Sequence, residues 1–141
     1  GLAYTVVTAH ESYSNRGFLV TYAGVDHGNV EKTIKVALEE YRRIAEEPVS
    51  PVELKRVKDY IRGTTLIGLE ASNAVASFIG SEEIVTGKPL TIEEVFAKLE
   101  AVTSSDIQSV AHEIIKPEKL NLAMIGPFKD REPFNKLLTL E

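Results

Sequence analysis

The sequence predicts an α+β domain, a small mixed or antiparallel sheet backed by helices. Three observations carry this. Two β-prone runs, Leu2 to Ala9 and Gly17 to Ala23, stand together at the N-terminus. From Asn29 to Ile115, successive segments space their apolar residues three and four apart and are bounded by capping residues, Pro or Gly. A last apolar run, Leu120 to Ile125, is bounded by Gly126-Pro127 and reads as a strand. The order β-β-α-α-α-α-β puts helices on one face of a small sheet.

Around the polar stretch His10 to Arg16, the first two runs form an antiparallel hairpin with more than a two-residue turn. Asn29 is the expected N-cap of the first helix. Its apolar face is Val30, Ile34, Ala37, Leu38, Tyr41, Ile44 and Ala45, and its other positions carry alternating charges up to Pro48. Ser50-Pro51-Val52-Glu53 is the sharpest local signal: an N-cap Ser, Pro at the first helical position and Glu closing a capping box. One stripe then runs through Leu54, Val57, Ile61, Thr65, Gly68, Ser72, Val75 and Ile79. That is one long helix or two abutting ones, ending near Gly87-Lys88-Pro89. Gly63 and Gly68 each cost about 1 kcal/mol against Ala in a helix interior, which calls for close approach of another element near Gly68-Ser72 or for a kink there. Thr91-Ile-Glu-Glu94 is a second capping box, with Val95, Phe96, Leu99 and Val102 inward. Thr103-Ser-Ser-Asp106 opens another helix, with Ile107, Val110, Ala111, Ile114 and Ile115 inward, and Pro117 stops it. A short final helix is expected from Pro133 to Leu138.

The chain has 141 residues, 43% of them hydrophobic and 26% charged, which fits a single domain over 1–141 without repeats or linkers. The absence of Cys excludes disulfides, thiolate metal sites and Cys nucleophiles. A net charge of −5 disfavours a nucleic-acid binder that works by neutralising phosphates. No apolar run approaches the ~20 residues of a membrane helix. The chain has no initiator Met and starts on a strand, so it is expected to be a piece of a longer protein, and Leu140-Glu141 could be a vector remnant. With no Cys and no leader pattern, the expected location is cytoplasmic.

Composition and spacing assemble no active site. His10 and His27 fall in expected turns and His112 on a helix surface. His112-Glu113-Ile-Ile-Lys116 misses the H-E-x-x-H zinc pattern because Lys stands where the second His must be, and an ammonium repels a divalent cation. Gly24-Val-Asp-His-Gly28 lacks the third Gly of a dinucleotide loop, and Gly87-Lys88 lacks the rest of a P-loop. The acidic pairs Glu39-Glu40, Glu46-Glu47, Glu82-Glu83 and Glu93-Glu94 read as solvated faces and first-turn dipole partners.

One ordered set of motifs goes further. Gly1-Leu-Ala-Tyr4, the hairpin, Ser50-Pro-x-Glu-Leu54, Leu69-Glu70-Ala-Ser72, Gly87-Lys-Pro-Leu-Thr-Ile-Glu-Glu-Val95 and Ala101-Val-Thr103-x-x-Asp106-Ile107 cover nearly the whole chain. Together they resemble the C-terminal-type, non-zinc domain of the pitrilysin/insulinase family of zinc metallopeptidases. The resemblance implies an inverzincin half-domain, one of two duplicated domains that face each other like a clam shell. It also implies a truncated C-terminal domain, because the family supplies a further strand and helix before the Gly-Leu-Ala-Tyr strand. The family's zinc sits in the N-terminal domain on an inverted H-x-x-E-H helix with a distal Glu. The first element is absent here, and the acidic-pair position falls near Gly63-Thr64, which cannot ligate as a carboxylate does. The resemblance thus implies no catalytic and no metal-binding residue in this chain, and zinc only in the parent protein's N-terminal domain.

Larger members hold substrate with an Arg and a Tyr of the C-terminal half. The strand Phe18 to Ala23 contains no Arg, but Arg16 precedes it and Tyr22 ends it; with Tyr4 these are the candidate substrate contacts. The implied function is the substrate-enclosing domain of a zinc metalloendopeptidase, and the chain alone is expected to be inactive. The implied partners are the missing N-terminal zinc domain and a peptide substrate, with neither nucleic acid nor membrane. The alternative is a structural relative like the peptidase-derived core subunits of respiratory complexes. The short, nearly uncharged strands Leu2 to Ala9 and Leu120 to Ile125 are also expected to self-associate, giving a homodimer.

Overall fold

In the computed structural model, which describes residues 1–140, the chain divides into two compact units. The first comprises Gly1–Pro48 and the residues from Gln108 onward; the second is Val49–Ile107.

In the first unit, β1 (Thr5–Ser12) and β2 (Gly17–Gly24) form a two-stranded antiparallel sheet. The ladder runs from Thr5↔Gly24 to Ser12↔Gly17, and the connection Tyr13–Arg16 is closed by the Tyr13 N–H donating to the Arg16 carbonyl at 2.8 Å. The expected hairpin is present, but its connection is shorter than the expected His10 to Arg16, because His10–Ser12 continue β1 and pair with β2. The sheet is antiparallel and not mixed, because Leu120 to Ile125 forms no strand. That segment follows a single 3₁₀ turn at Pro117–Lys119 and remains irregular, with Ile125 fully exposed. A strand exists only through its ladder, and among the described residues nothing pairs with this one.

Helix α1 (Val30–Glu46) turns the predicted stripe inward, with Ala45 buried and Ile34, Ala37, Leu38 and Tyr41 half-buried, although Ile44 is exposed. Asn29 makes no side-chain cap. Instead Asp26 Oδ1 accepts from Gly28 N–H at 2.9 Å and caps a 3₁₀ turn, His27–Asn29, that feeds the helix. Ala45, Ala111 and Phe134 are the hydrophobic residues less than a tenth exposed among the described residues, and all three lie in this unit. Gln108 Nε2 donates to the Glu46 carbonyl at 3.1 Å, tying a later helix to the end of α1. Phe128 stacks between His27 (centroids 6.1 Å) and Phe134 (5.1 Å, edge-to-face). The terminal helix is α6, Glu132–Asn135, shorter than expected and starting one residue earlier. Beyond it the Leu137 and Leu138 N–H groups reach back three residues, a tightening that ends the helix.

In the second unit, the long stripe is two helices, α2 (Pro51–Gly68) and α3 (Ser72–Thr86). Extended backbone at Ala71 separates them. A Cβ placed on Gly63 or Gly68 would meet nothing within 4 Å, so close approach is not the reason for these glycines; Gly68 is the last residue of α2, where the helix breaks, and nothing in the structure explains Gly63. The break also resets the helical phase. Ala74 and Phe78 are half-buried in α3, while Val75 and Ile79, which continue the α2 stripe in sequence, are exposed. Gly87 closes α3 at φ +67°, a left-handed conformation that disfavours any side chain.

Helix α4 (Ile92–Ala101) opens with the full reciprocal box of Thr91 and Glu94. At α2, Ser50 Oγ accepts from Glu53 N–H at 3.2 Å, but no return bond from Glu53 to the Ser50 N–H is made among the described residues, so only half of that box forms. At α5 (Ser104–Ile114), which carries the chain from the second unit into the first, Asp106 accepts from both the N–H and the hydroxyl of Thr103, and Thr103 Oγ1 accepts in return from Asp106 N–H. Lys58 Nζ donates to the Glu100 carbonyl at 2.6 Å, the Arg62 guanidinium lies 4.9 Å from the Phe96 ring centroid, and Ser104 Oγ donates to the Val49 carbonyl at 2.9 Å. Val95, Phe96, Leu99, Val102 and Ile107 are half-buried as expected, and Val110 and Ile114 are exposed.

Two measurements test the caps. Ser50→Ala should lower stability by about 1 kcal/mol, read from the denaturation midpoint at constant m. The Thr103 hydroxyl and then its N–H hold the Asp106 carboxyl below its ordinary value of 3.8. A carboxyl depressed on folding contributes stability that is present above 3.8 and is lost as pH falls through the lower, folded value. The Asp106 titration followed by NMR should therefore have its midpoint below 3.8, and Thr103→Ala should move it upward.

Candidate functional site

The first unit offers one organised surface, the hairpin. The register fixes its two faces. Val6, Thr8, His10 and Ser12 lie on one side with Ala23, Thr21, Leu19 and Gly17. On the other lie Thr5, Val7, Ala9 and Glu11 with Gly24, Tyr22, Val20 and Phe18. A chain of hydroxyls identifies the side that meets α1: Thr8 Oγ1 to Thr21 Oγ1 at 2.8 Å, and Thr21 Oγ1 to the Tyr41 hydroxyl at 2.6 Å. Thr21 and Ala23 are half-buried beneath α1, whereas every residue of β1 is exposed, so the helix lies over β2.

The opposite face is open and apolar. Val7, Phe18, Val20 and Tyr22 are 55%, 53%, 41% and 65% exposed, and Tyr13 in the connection lies 6.4 Å from Phe18, centroid to centroid. Sequence reasoning singled out Tyr22 but missed Val7, Phe18 and Val20. The signal was the alternation Phe18, Val20, Tyr22 along β2, which reads as one face of a strand.

The three candidate contacts do not converge. Tyr4 precedes β1, its N–H donating to the Gly24 carbonyl at 2.8 Å, and the residue is 83% exposed. Tyr22 pairs with Val7 near the same end of the hairpin. Arg16 lies at the tip, six residues from Tyr22 along the chain, or about 20 Å of extended strand. Such a layout cannot clamp one atom; it can touch an extended peptide at both ends.

No metal centre arises from these residues. Among the described residues, no group of three His, Asp or Glu side chains converges as metal ligands. His10 lies in β1 opposite Leu19, not in the turn expected for it. Lys116, which ends the zinc near-miss, lies outside α5 in extended backbone. At the acidic-pair position, Gly63 and Thr64 are helical, and the Thr64 hydroxyl donates to its own helix at the Tyr60 carbonyl, 2.9 Å away. Zinc therefore does not fit the residues present. The shifted titrations are local too. Lys55 is raised by its hydrogen bond and ion pair with Asp59 one turn along α2, and Asp106 is lowered by its Thr103 cap. Neither lies on the hairpin. Of two open depressions along α1, one of about 360 Å³ meets Lys35, Arg42 and Lys136 and one of about 570 Å³ meets His27, Lys32 and Lys35, without a nucleophile–base pair in either.

Comparison with known proteins bears on the same region. A family model described as the peptidase M16 inactive domain matches residues 1–61, which contain the whole hairpin and the start of α2. An uncharacterized zinc protease of Streptomyces coelicolor is 29% identical over 132 residues, 94% of this chain and 28% of that protein. An uncharacterized zinc protease of Bacillus subtilis is 28% identical, covering 90% of this chain and 31% of that protein. The mitochondrial-processing peptidase subunit beta of Saccharomyces cerevisiae is 28% identical over 89% of this chain and 28% of its own length. The chain thus spans about three-tenths of the length of these relatives. A chain of complex III2 from Candida albicans, bound to Inz-5, shares the fold with a TM-score of 0.72 at 23% identity, over 79% of this chain and 27% of that one.

The donor geometry predicts that this chain, dialysed against micromolar zinc and then buffer, retains no stoichiometric metal. Elemental analysis checks this, and zinc retained by the chain but lost in His112→Ala or His10→Ala would contradict it.

Proposed function

We propose that this chain, a C-terminal-type domain of the pitrilysin/insulinase-type metallopeptidase family, is the non-catalytic half of a zinc endopeptidase that encloses a peptide against a zinc-bearing N-terminal domain. The observation that carries this reading is the match of residues 1–61 to an inactive peptidase domain, over the very hairpin whose outer face is open and apolar. Relatives named zinc proteases, each more than three times as long as the stretch matched here, support it. The chemistry asked of this chain is binding. An extended peptide laid along the hairpin would cover Val7, Val20 and Phe18, while Tyr4 and Tyr22 at one end and Arg16 at the other supply polar contacts. The zinc, and the water it activates, would belong to the partner domain. No step of the hydrolysis is assigned to a residue of this chain.

The whole protein, purified with its zinc, provides the test. It should cleave a quenched fluorescent peptide and lose that activity with chelator. Tyr22→Ala and Arg16→Ala should raise KM by about three- to tenfold with kcat little changed, because contacts made equally in ground and transition states affect binding alone. A zinc-loaded, folded protein that cleaves no peptide would overturn this reading in favour of the assembly role.

A further inference from the structure

We infer that Ala9 is a specificity-determining residue of the outer hairpin face: with Val20 it floors a saddle that takes one large aliphatic or aromatic side chain of the bound peptide. The inference rests on the peptide-enclosing reading above and names which peptides this surface prefers.

The register places Ala9 opposite Val20 in the middle of the outer face. Val7 and Tyr22 form the next pair on that face towards one end, and Glu11 and Phe18 the next towards the other. Along β2, Tyr22 and Phe18 are four residues apart, about 13 Å, with Val20 midway. Both walls are aromatic, and the floor between them is only a methyl group on the β1 side. Tyr22 is 65% and Phe18 53% exposed, and Tyr13 backs Phe18 on the side of the tip. Ala9 and Val20 are themselves exposed, so neither ring covers the floor.

The saddle belongs to the face of the sheet and not to its edge. A further strand beside β1 or β2 would widen the sheet and leave the Ala9–Val20 pair between the same two rings.

The period of an extended peptide then sets what fits. Side chains on one side of such a chain recur every two residues, about 7 Å, which is also their spacing along β2. A peptide lying along the hairpin with one side chain over Ala9 sets the neighbours two residues away over the Tyr22 and Phe18 rings. The side chain in the saddle meets a methyl, an isopropyl group and two ring flanks. No cation lies among them, so a carboxylate there would lose water without gaining a partner. The nearest charge on this face, Glu11, is two residues along β1 from Ala9 and repels an acidic side chain. A large apolar side chain gains most, because it removes both rings and the floor from water. Alanine at position 9 leaves this room, and a longer side chain would fill it from below.

The whole zinc-loaded protein tests this with quenched fluorescent peptides in which each position in turn is Leu, Ala or Asp. At one position Leu should be preferred to Ala by about tenfold in kcat/KM, with Asp poorest. Ala9→Leu should bring the Leu-to-Ala ratio at that position to about one. Ala9→Lys should invert the order to Asp over Leu, an outcome that damage to the fold does not produce. Circular dichroism checks that both variants fold. A wild-type protein indifferent at every position, or a Leu preference unchanged in both variants, would overturn the inference and leave the enclosing role standing. A folded, zinc-loaded protein that cleaves no peptide would overturn both.

Discussion

The contact between the Thr21 and Tyr41 hydroxyls determines which surfaces of the first unit are available. A strand pair has two faces, and a slip of one residue would exchange them. At 2.6 Å from Thr21, Tyr41 commits the Thr21 and Ala23 end of that face to α1, while Leu19 on the same side stays exposed. The face of Val7, Val20 and Tyr22 is left to whatever lies outside this chain. Thr8 extends the contact to β1 through a non-hydrogen-bonded pair, where side chains stand closest, so both strands are held in one register. The open face follows from this contact.

The second unit is held differently. None of its hydrophobic residues is less than a tenth exposed, and Val52, Tyr60, Ile67, Ile84 and Val85 are 64% exposed or more. Helical stability normally comes from burying an apolar stripe. Here the visible support is at the ends and in a few polar ties: side-chain caps at Ser50, Thr91 and Thr103, the Lys58 and Ser104 bonds to carbonyls, and Arg62 over Phe96. Helix α3, rich in apolar residues with little segregation of polar ones, has the composition of a helix made to be covered on more than one side.

What the sequence disclosed follows this division between local and non-local causes. The Ser50, Thr91 and Thr103 helix starts were legible because a cap is a matter of three or four consecutive residues. The α1 stripe was legible because one helix buries one face. Leu120 to Ile125 was misread because a strand needs a partner elsewhere in the chain, which local alternation cannot report. The phase of α3 was missed because three non-helical residues, Leu69 to Ala71, rotate everything after them while leaving composition unchanged. At the site, Tyr4, Arg16 and Tyr22 came from a resemblance and not from spacing. Their separation along the hairpin became evident only with the register in hand, whereas the alternation of Phe18, Val20 and Tyr22 was present in the sequence and unused.

Gly126 and Phe128 are linked in a way that reaches beyond this one sequence. Gly126 does not have the positive φ that usually demands glycine; a Cβ there would lie 2.3 Å from the Phe128 ring. The ring itself is fixed between His27 and Phe134, so it cannot yield without opening the stack that anchors an otherwise irregular segment. The two positions are therefore coupled: a side chain at 126 requires the Phe128 ring to move out of its place beside His27 and Phe134, so the residue tolerated at one position depends on the residue at the other.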